Sequence, residues 1–167
     1  MRAIVVDQFG PPEALRARET ARPSPGPGEV LVETYAAPVN YVDMLVVAGT
    51  YQFLPQLPFI PGKGPAGIVV ALGPGVTTLR VGDRVLAMAE TGGYAEAVAV
   101  AAEQCHLLPA NMSFAEAASL AVVYDTSWVA LRSRARLTPG ETVLVLGASG
   151  GVGHAAVQLA RDRKSVV

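Results

Sequence analysis

The sequence predicts an α/β chain with a large β content: a body of short strands closed into a barrel or sandwich, followed by the opening of a parallel α/β unit. Three observations predict it. Most of the 17 Gly and 13 Pro among the 167 residues fall before residue 110 and separate short apolar runs, the punctuation of an all-β body. A helix-start signature stands at Ser113-Phe114-Ala115-Glu116. An uncharged run at residues 142–146 then passes through a Gly-rich turn into a helix with an apolar face, the order of elements in a nucleotide-binding α/β unit.

Each element has its own reason. Strands are expected at residues 3–6, at 30–36 after the Pro-Gly turn 23–28, and at 67–72, 84–88, 94–100 and 105–108, where apolar and β-branched residues lie between breakers. Alternation is weak at 94–100, because its side chains are mostly small. Ser113 and Glu116 have capping-box spacing, with a hydroxyl for the third backbone N–H and a carboxylate reaching back. A helix over 115–120 follows, then a second over 126–136 that ends before Thr138-Pro139-Gly140. Residues 142–146, Thr-Val-Leu-Val-Leu, carry no charge, as expected of a central parallel strand covered on both faces. The turn 147–153 leads into a helix carrying Val157 and Leu159.

Composition narrows the function classes. Hydrophobic residues make up 51% of the chain and charged residues 16%, which excludes an intrinsically disordered protein. Thirteen Lys and Arg against 14 Asp and Glu leave a formal charge of -1, so the basic footprint of a nucleic-acid binder is missing. The single cysteine, Cys105, can neither close an internal disulfide nor furnish a cysteine-rich zinc site, and fits a reducing compartment. The apolar run 3–6 is too short for a signal peptide, and the uncharged stretch 44–62 is broken by Pro55, Pro58 and Pro61. The expectation is a soluble, cytoplasmic chain with no nucleic-acid or membrane partner.

The most informative segment is residues 142–161, TVLVLGASGGVGHAAVQLAR. From Ala148 the turn reads Ala148-Ser149-Gly150-Gly151-Val152-Gly153, the G-x-G-x-x-G pattern with Ala in its first place. Gly150, lacking a Cβ, lets backbone approach a pyrophosphate, and Gly153 lets helix and strand pack closely. The bare amides at the helix start favour an anion. The other reading of the same residues is a tight strand-to-helix turn with no ligand.

Three blocks recur in order: VNYVDMLVVAGTY at 39–51, IPGKGPAGIVVALGPGVTTLRVGDRV at 60–85, and TPGETVLVLGASGGVGHAAVQLAR at 138–161. Together they resemble the medium-chain dehydrogenase/reductase superfamily, and within it the zinc-free, zeta-crystallin-like NADPH:quinone oxidoreductases. The resemblance implies a GroES-like β-barrel catalytic domain over residues 1–122. It also implies the start of a Rossmann dinucleotide-binding domain, one strand and one helix, over 123–167.

Zinc separates branches of that superfamily. Where related zinc-dependent alcohol dehydrogenases place a Cys ligand and a His-Glu pair, this sequence has Asn40 and Lys63-Gly64, poor replacements for a thiolate and an imidazole. No metal site is expected. Without a Lewis acid, an ordinary ketone lacks stabilisation for its alkoxide. In a quinone or enone the hydride's charge spreads onto a distant oxygen, so hydrogen bonds and positioning suffice. The implied cofactor is NADPH, and the implied substrate a small quinone or enone.

By resemblance, Asn40, Asp43 and Tyr51 line the pocket beside the nicotinamide as catalytic residues, Thr126 contacts the nicotinamide, and Ala148 to Gly153 hold the pyrophosphate. A second reading stands beside each. Asn40 shapes a turn, Asp43 caps the short segment at Met44, Tyr51 is a half-buried barrel aromatic, and Thr126 is a helix N-terminal residue. Lys63 reads as a solvated lysine, or as one that attracts a phosphate or a quinone oxygen. Cys105 and His106, adjacent on a strand, point to opposite faces and make a poor nucleophile–base pair. His154 reads as a surface residue near the phosphate site, and Arg132, Arg134 and Arg136 as a solvated helix end.

The residue that reads the adenosine ribose lies ~20 residues beyond the Gly motif in such domains, past Val167. The chain is therefore expected to be incomplete as a reductase and to bind NADPH weakly or not at all. An alternative of a different class is a non-enzymatic GroES-like barrel module whose exposed Rossmann start serves oligomerisation, so a homo-oligomer is a possible partner state.

Overall fold

A computed structural model describes residues 1–165. It divides into two compact units, Met1–Ser119 and Leu120–Val167.

The first unit is built on a five-stranded antiparallel sheet in the order β6-β3-β4-β5-β7. These strands are β3 (Glu29–Ala36), β4 (Ala66–Leu72), β5 (Arg84–Ala87), β6 (Ala97–Ala101) and β7 (Cys105–Leu107). A two-stranded sheet pairs β1 (Arg2–Ile4) with β2 (Ala17–Glu19). It joins the rest through bridges Ala3↔Ala95 and Val6↔Phe59. One face of the large sheet is a valine layer: Val30 and Val32 of β3, Val69 of β4, Val85 of β5, and Val98 and Val100 of β6 close on one another. Residues two apart on a strand share a face, and each fully buried valine contributes on the order of 1.5–3 kcal/mol. Between β3 and β4 the fit is tight at Gly67, where a Cβ would lie 1.8 Å from the Glu33 carbonyl oxygen.

A short helix, α1 (Tyr41–Val47), lies over a second cluster of Val6, Val46, Val47 and Phe59. The start of α2 (Phe114–Trp128) packs through Ala117 and Ala118 onto Ala66 of the sheet, small side chains bringing helix and sheet close. The expected capping box begins this helix: Ser113 N–H donates to Glu116 Oε2 at 2.8 Å, and Glu116 N–H to Ser113 Oγ at 3.2 Å. Arg84 holds the incoming loop, donating to the Ala110 carbonyl at 2.8 Å from above the Phe114 ring, 4.6 Å from its centroid.

The second unit contains the rest of α2, a π-helical turn (Val129–Arg134) and α3 (Gly151–Asp162). Buried Ser127 ties α2 to α3, its Oγ lying 2.9 Å from the Val123 carbonyl and 2.8 Å from that of Val152.

Several expectations need correction. The two helices expected at 115–120 and 126–136 are one α2 that runs on into the π-helical turn, because residues 121–126 hold neither Gly nor Pro to end it. Strand β2 was not expected, and the strand expected over 94–100 is confined to β6, with Ala95 making only an isolated bridge. Of residues 142–146, expected as a central strand, Thr142 makes only an isolated bridge and 143–146 carry no strand assignment. Leu144 and Leu146 are 83% and 85% exposed. A strand exists by pairing, and among the described residues none lies alongside this run. No helix among the described residues is long and apolar enough to cross a membrane.

Candidate functional site

In the first unit two of the candidate residues, Asn40 and Asp43, meet at the N-terminus of α1. Asn40 stands just before the helix, and Asp43, one turn in, is 4% exposed. A carboxylate so buried needs partners. Asp43 Oδ2 accepts three hydrogen bonds: from the Asn40 backbone N–H at 2.9 Å, from Asn40 Nδ2 at 3.2 Å, and from the Tyr94 hydroxyl at 2.9 Å. Tyr94 Oη also lies 3.2 Å from the Pro38 carbonyl. Burial, then the neighbouring Asp43 charge, push the Tyr94 phenol well above the ordinary tyrosine range. The phenol is therefore a donor at any ordinary pH.

The helix-capping role of Asp43 is thus present in the geometry. The same carboxylate orients the Asn40 side chain and anchors Tyr94, so Asp43 acts chiefly through its neighbours. Tyr94 was missed in the sequence. The signal was available: a tyrosine entering an apolar strand needs a partner for its hydroxyl, and an isolated buried acid needs a donor.

Tyr51 belongs to a different cluster. It packs beside Val6, Val46, Val47 and Phe59 and meets the Phe53 ring edge-on, 6.4 Å between centroids. Nearby is a cleft of about 220 Å³ with walls from Val46, Phe53, Leu54 and Pro55 and with Lys63 and Glu90 at its polar end. Lys63, expected as a solvated lysine, has a side chain only 14% exposed and is paired with Glu90. Its aliphatic stem is covered and its ammonium is delivered to the cleft. Cys105 packs against the valine core while His106 is exposed, so the two do face apart.

In the second unit residues 147–153 make one compact turn into α3. Gly147 adopts φ +78°, a left-handed conformation that favours glycine. The Gly150 N–H donates to the Gly147 carbonyl at 3.1 Å and the His154 N–H to the Gly150 carbonyl at 2.8 Å. At Gly153 a Cβ would lie 2.3 Å from the Gly147 oxygen, so the first turn of α3 fits against the start of the loop only without a side chain. Gly150 could carry a Cβ in ordinary van der Waals contact, its nearest neighbour being the Gly147 oxygen at 3.5 Å. Among the described residues no acceptor engages the N–H groups of Gly151, Val152 or Gly153. Three bare amides at the positive end of a helix have the geometry and dipole that suit an anion.

Ala148 and Ser149 lie exposed on the same turn. Thr126 is exposed in the last turns of α2 and does not open a helix as one reading had it. His154 is exposed, with a ring nitrogen 2.8 Å from Gln158 Nε2, and Arg132 and Arg134 are exposed on the π-helical turn. Among the described residues no cluster of three or more His, Cys, Asp or Glu is arranged to hold a metal ion.

This sheet, its capping helix and the glycine turn define a two-part dehydrogenase architecture, and comparison with known proteins agrees. The chain belongs to the alcohol dehydrogenase GroES-like domain family, which matches residues 26–110, and to the zeta-crystallin-like branch of the medium-chain dehydrogenase/reductases. It is 41% identical over 168 residues to the human synaptic vesicle membrane protein VAT-1 homolog, covering 99% of this chain and 43% of that one. It is 42% identical over 163 residues to rat quinone oxidoreductase, covering 96% of this chain and 50% of the relative. The crystal structure of Escherichia coli quinone oxidoreductase complexed with NADPH superposes with a TM-score of 0.91 at 33% identity, over 99% of this chain and 51% of that one. The chain thus spans about half the length of the relatives it matches.

Proposed function

We propose that this protein is an NADPH-dependent reductase that passes hydride to quinones or other conjugated carbonyls without zinc. The observation that supports it most directly is the cradle at Gly151, Val152 and Gly153, whose unengaged amides suit a pyrophosphate. The quinone oxidoreductase relatives and the NADPH complex of one structural neighbour support the same reading.

NADPH, when bound, supplies the hydride. The chain's own residues bind and orient. Ala148 to Gly153 hold the pyrophosphate through backbone, and Thr126 contacts the nicotinamide. The Asn40 side chain, held by Asp43, offers a hydrogen bond to the acceptor as charge develops on it. Tyr51 and the adjoining cleft place the acceptor ring. A conjugated acceptor needs no metal here, because its developing charge is delocalised onto an oxygen that hydrogen bonds and solvent can reach.

The test is loss of NADPH absorbance with 1,4-benzoquinone compared with cyclohexanone. Quinone-dependent oxidation with little or none for the ketone is expected, and equal rates for the two would overturn the reading. We place the protein in the cytoplasm on the strength of its single unpaired cysteine.

Exposed Leu144 and Leu146 favour a second reading, in which this run pairs with the same run of another copy. A sedimentation measurement that stays monomeric across a hundredfold concentration range would remove it.

A further inference from the structure

The cleft beside Tyr51 has a polarity that hydride transfer to a neutral quinone does not require. Its walls are apolar: Val46 of α1 and the segment Phe53, Leu54 and Pro55. Its polar end holds the Lys63 ammonium, the Glu90 carboxylate and Thr91. Lys63 is covered along its stem, with a side chain 14% exposed, and among the described residues the only carboxylate paired with it belongs to Glu90, which is 80% exposed. The two partners are unequal in a useful way. Lys63 is fixed toward the cleft by its burial, whereas Glu90 is a solvated side chain free to turn outward, and a surface ion pair of this kind holds its partner weakly. An anion entering the cleft exchanges for Glu90 at the ammonium without leaving a buried charge unpaired.

The geometry points to a specificity site: the Lys63 ammonium selects conjugated acceptors whose ring carries an anionic substituent, a carboxylate or sulfonate, with Glu90 as a displaceable stand-in for that group. The ring lies against Phe53, Leu54, Pro55 and Val46, and the anion takes the place of the Glu90 carboxylate. Charge-assisted hydrogen bonds of this kind are the strong ones, and in a partly enclosed cleft they are screened less than in bulk water. This inference rests on the reading of the cleft as the acceptor site.

Binding of an unreactive pair tests it on the 167-residue chain: 2-naphthoate, which is anionic, and 2-naphthamide, its neutral counterpart. Both are titrated by two-dimensional NMR while the amides of residues 46, 53, 54 and 63 are followed. The naphthoate is expected to bind about tenfold more tightly, with an affinity that falls as salt is added while that of the amide does not. Lys63→Met is expected to abolish the preference, Lys63→Arg to keep it, and Glu90→Gln to widen it by removing the competing carboxylate. Equal affinities for the two probes, or a preference unchanged in Lys63→Met, would overturn the inference and leave the acceptor site standing. Failure of both probes to perturb the cleft would overturn the acceptor-site reading itself, and the inference with it.

Discussion

Tyr94 donates its hydroxyl to Asp43 Oδ2 at 2.9 Å across 51 residues of sequence, fastening the start of α1 to the strand segment before β6. Tyr94→Phe removes that donor and leaves the carboxylate two bonds from Asn40, so a loss of about 1–2 kcal/mol in urea unfolding is expected. Asp43→Ala costs more, because the Tyr94 hydroxyl and Asn40 amide then lose their common acceptor in a buried place. The Tyr94 phenol has its pKa raised by burial and by the Asp43 charge. The folded state therefore holds the proton longer than the unfolded chain does. Its contribution is fully present below the unfolded tyrosine value near 10 and is lost progressively above it. Wild type and Tyr94→Phe should accordingly converge in stability as pH rises beyond about 10, measured by denaturant midpoints at successive pH values; a constant gap would refute this coupling.

Gly67→Ala places a methyl 1.8 Å from the Glu33 carbonyl oxygen, a backbone atom held in the sheet. Neither β3 nor β4 can retreat without breaking its ladder, so destabilisation of about 3 kcal/mol or more is expected. Thermal unfolding that shifts by only a degree or two would show that the sheet gives way locally.

Two glycines of the α3 turn should part company. Gly153→Ala meets the Gly147 oxygen at 2.3 Å and should distort the turn, visible in the amide chemical shifts of residues 147–153 without any ligand. Gly150→Ala has room, at 3.5 Å, and an ordinary φ of -78°, so the fold should be unchanged. Its methyl nonetheless stands where a pyrophosphate would approach. Chemical-shift perturbation by millimolar NADPH should be reduced in Gly150→Ala, and an undiminished response would argue against a cofactor at this turn.

Burial pushes the Cys105 thiol up to about 11. Since the thiolate is the nucleophile, alkylation by iodoacetamide at neutral pH should be much slower than for a free thiol, and should keep rising with pH to about 11. A rate that levels off near pH 8 would mean the side chain is open to water.

Local rules carried the sequence reading where local chemistry decides. The Ser113–Glu116 box, the strands bounded by Gly and Pro, and the glycine turn all follow from short-range stereochemistry. What escaped was decided at long range. Nothing near Tyr94 announces Asp43, and nothing near Lys63 says that its side chain will be largely buried. The residues 142–146 show the reverse case: the pattern of a buried strand is plain in the letters, yet burial depends on neighbours, and exposed Leu144 and Leu146 have none among the described residues. Helix α2 runs past residue 120 because 121–126 hold neither Gly nor Pro to stop it.

The Ser127 hydroxyl sits between two carbonyls, Val123 at 2.9 Å and Val152 at 2.8 Å, but owns one proton. Both carbonyls fall within helices, where the backbone already serves them, so neither would be orphaned by its loss. The contact is thus a clasp that neither helix needs for its own hydrogen bonding. An alanine there would leave both helices intact while slackening α3 against α2, and the amides of the glycine turn, carried on the front of α3, would lose the fixed aim that a rigid anion receptor needs.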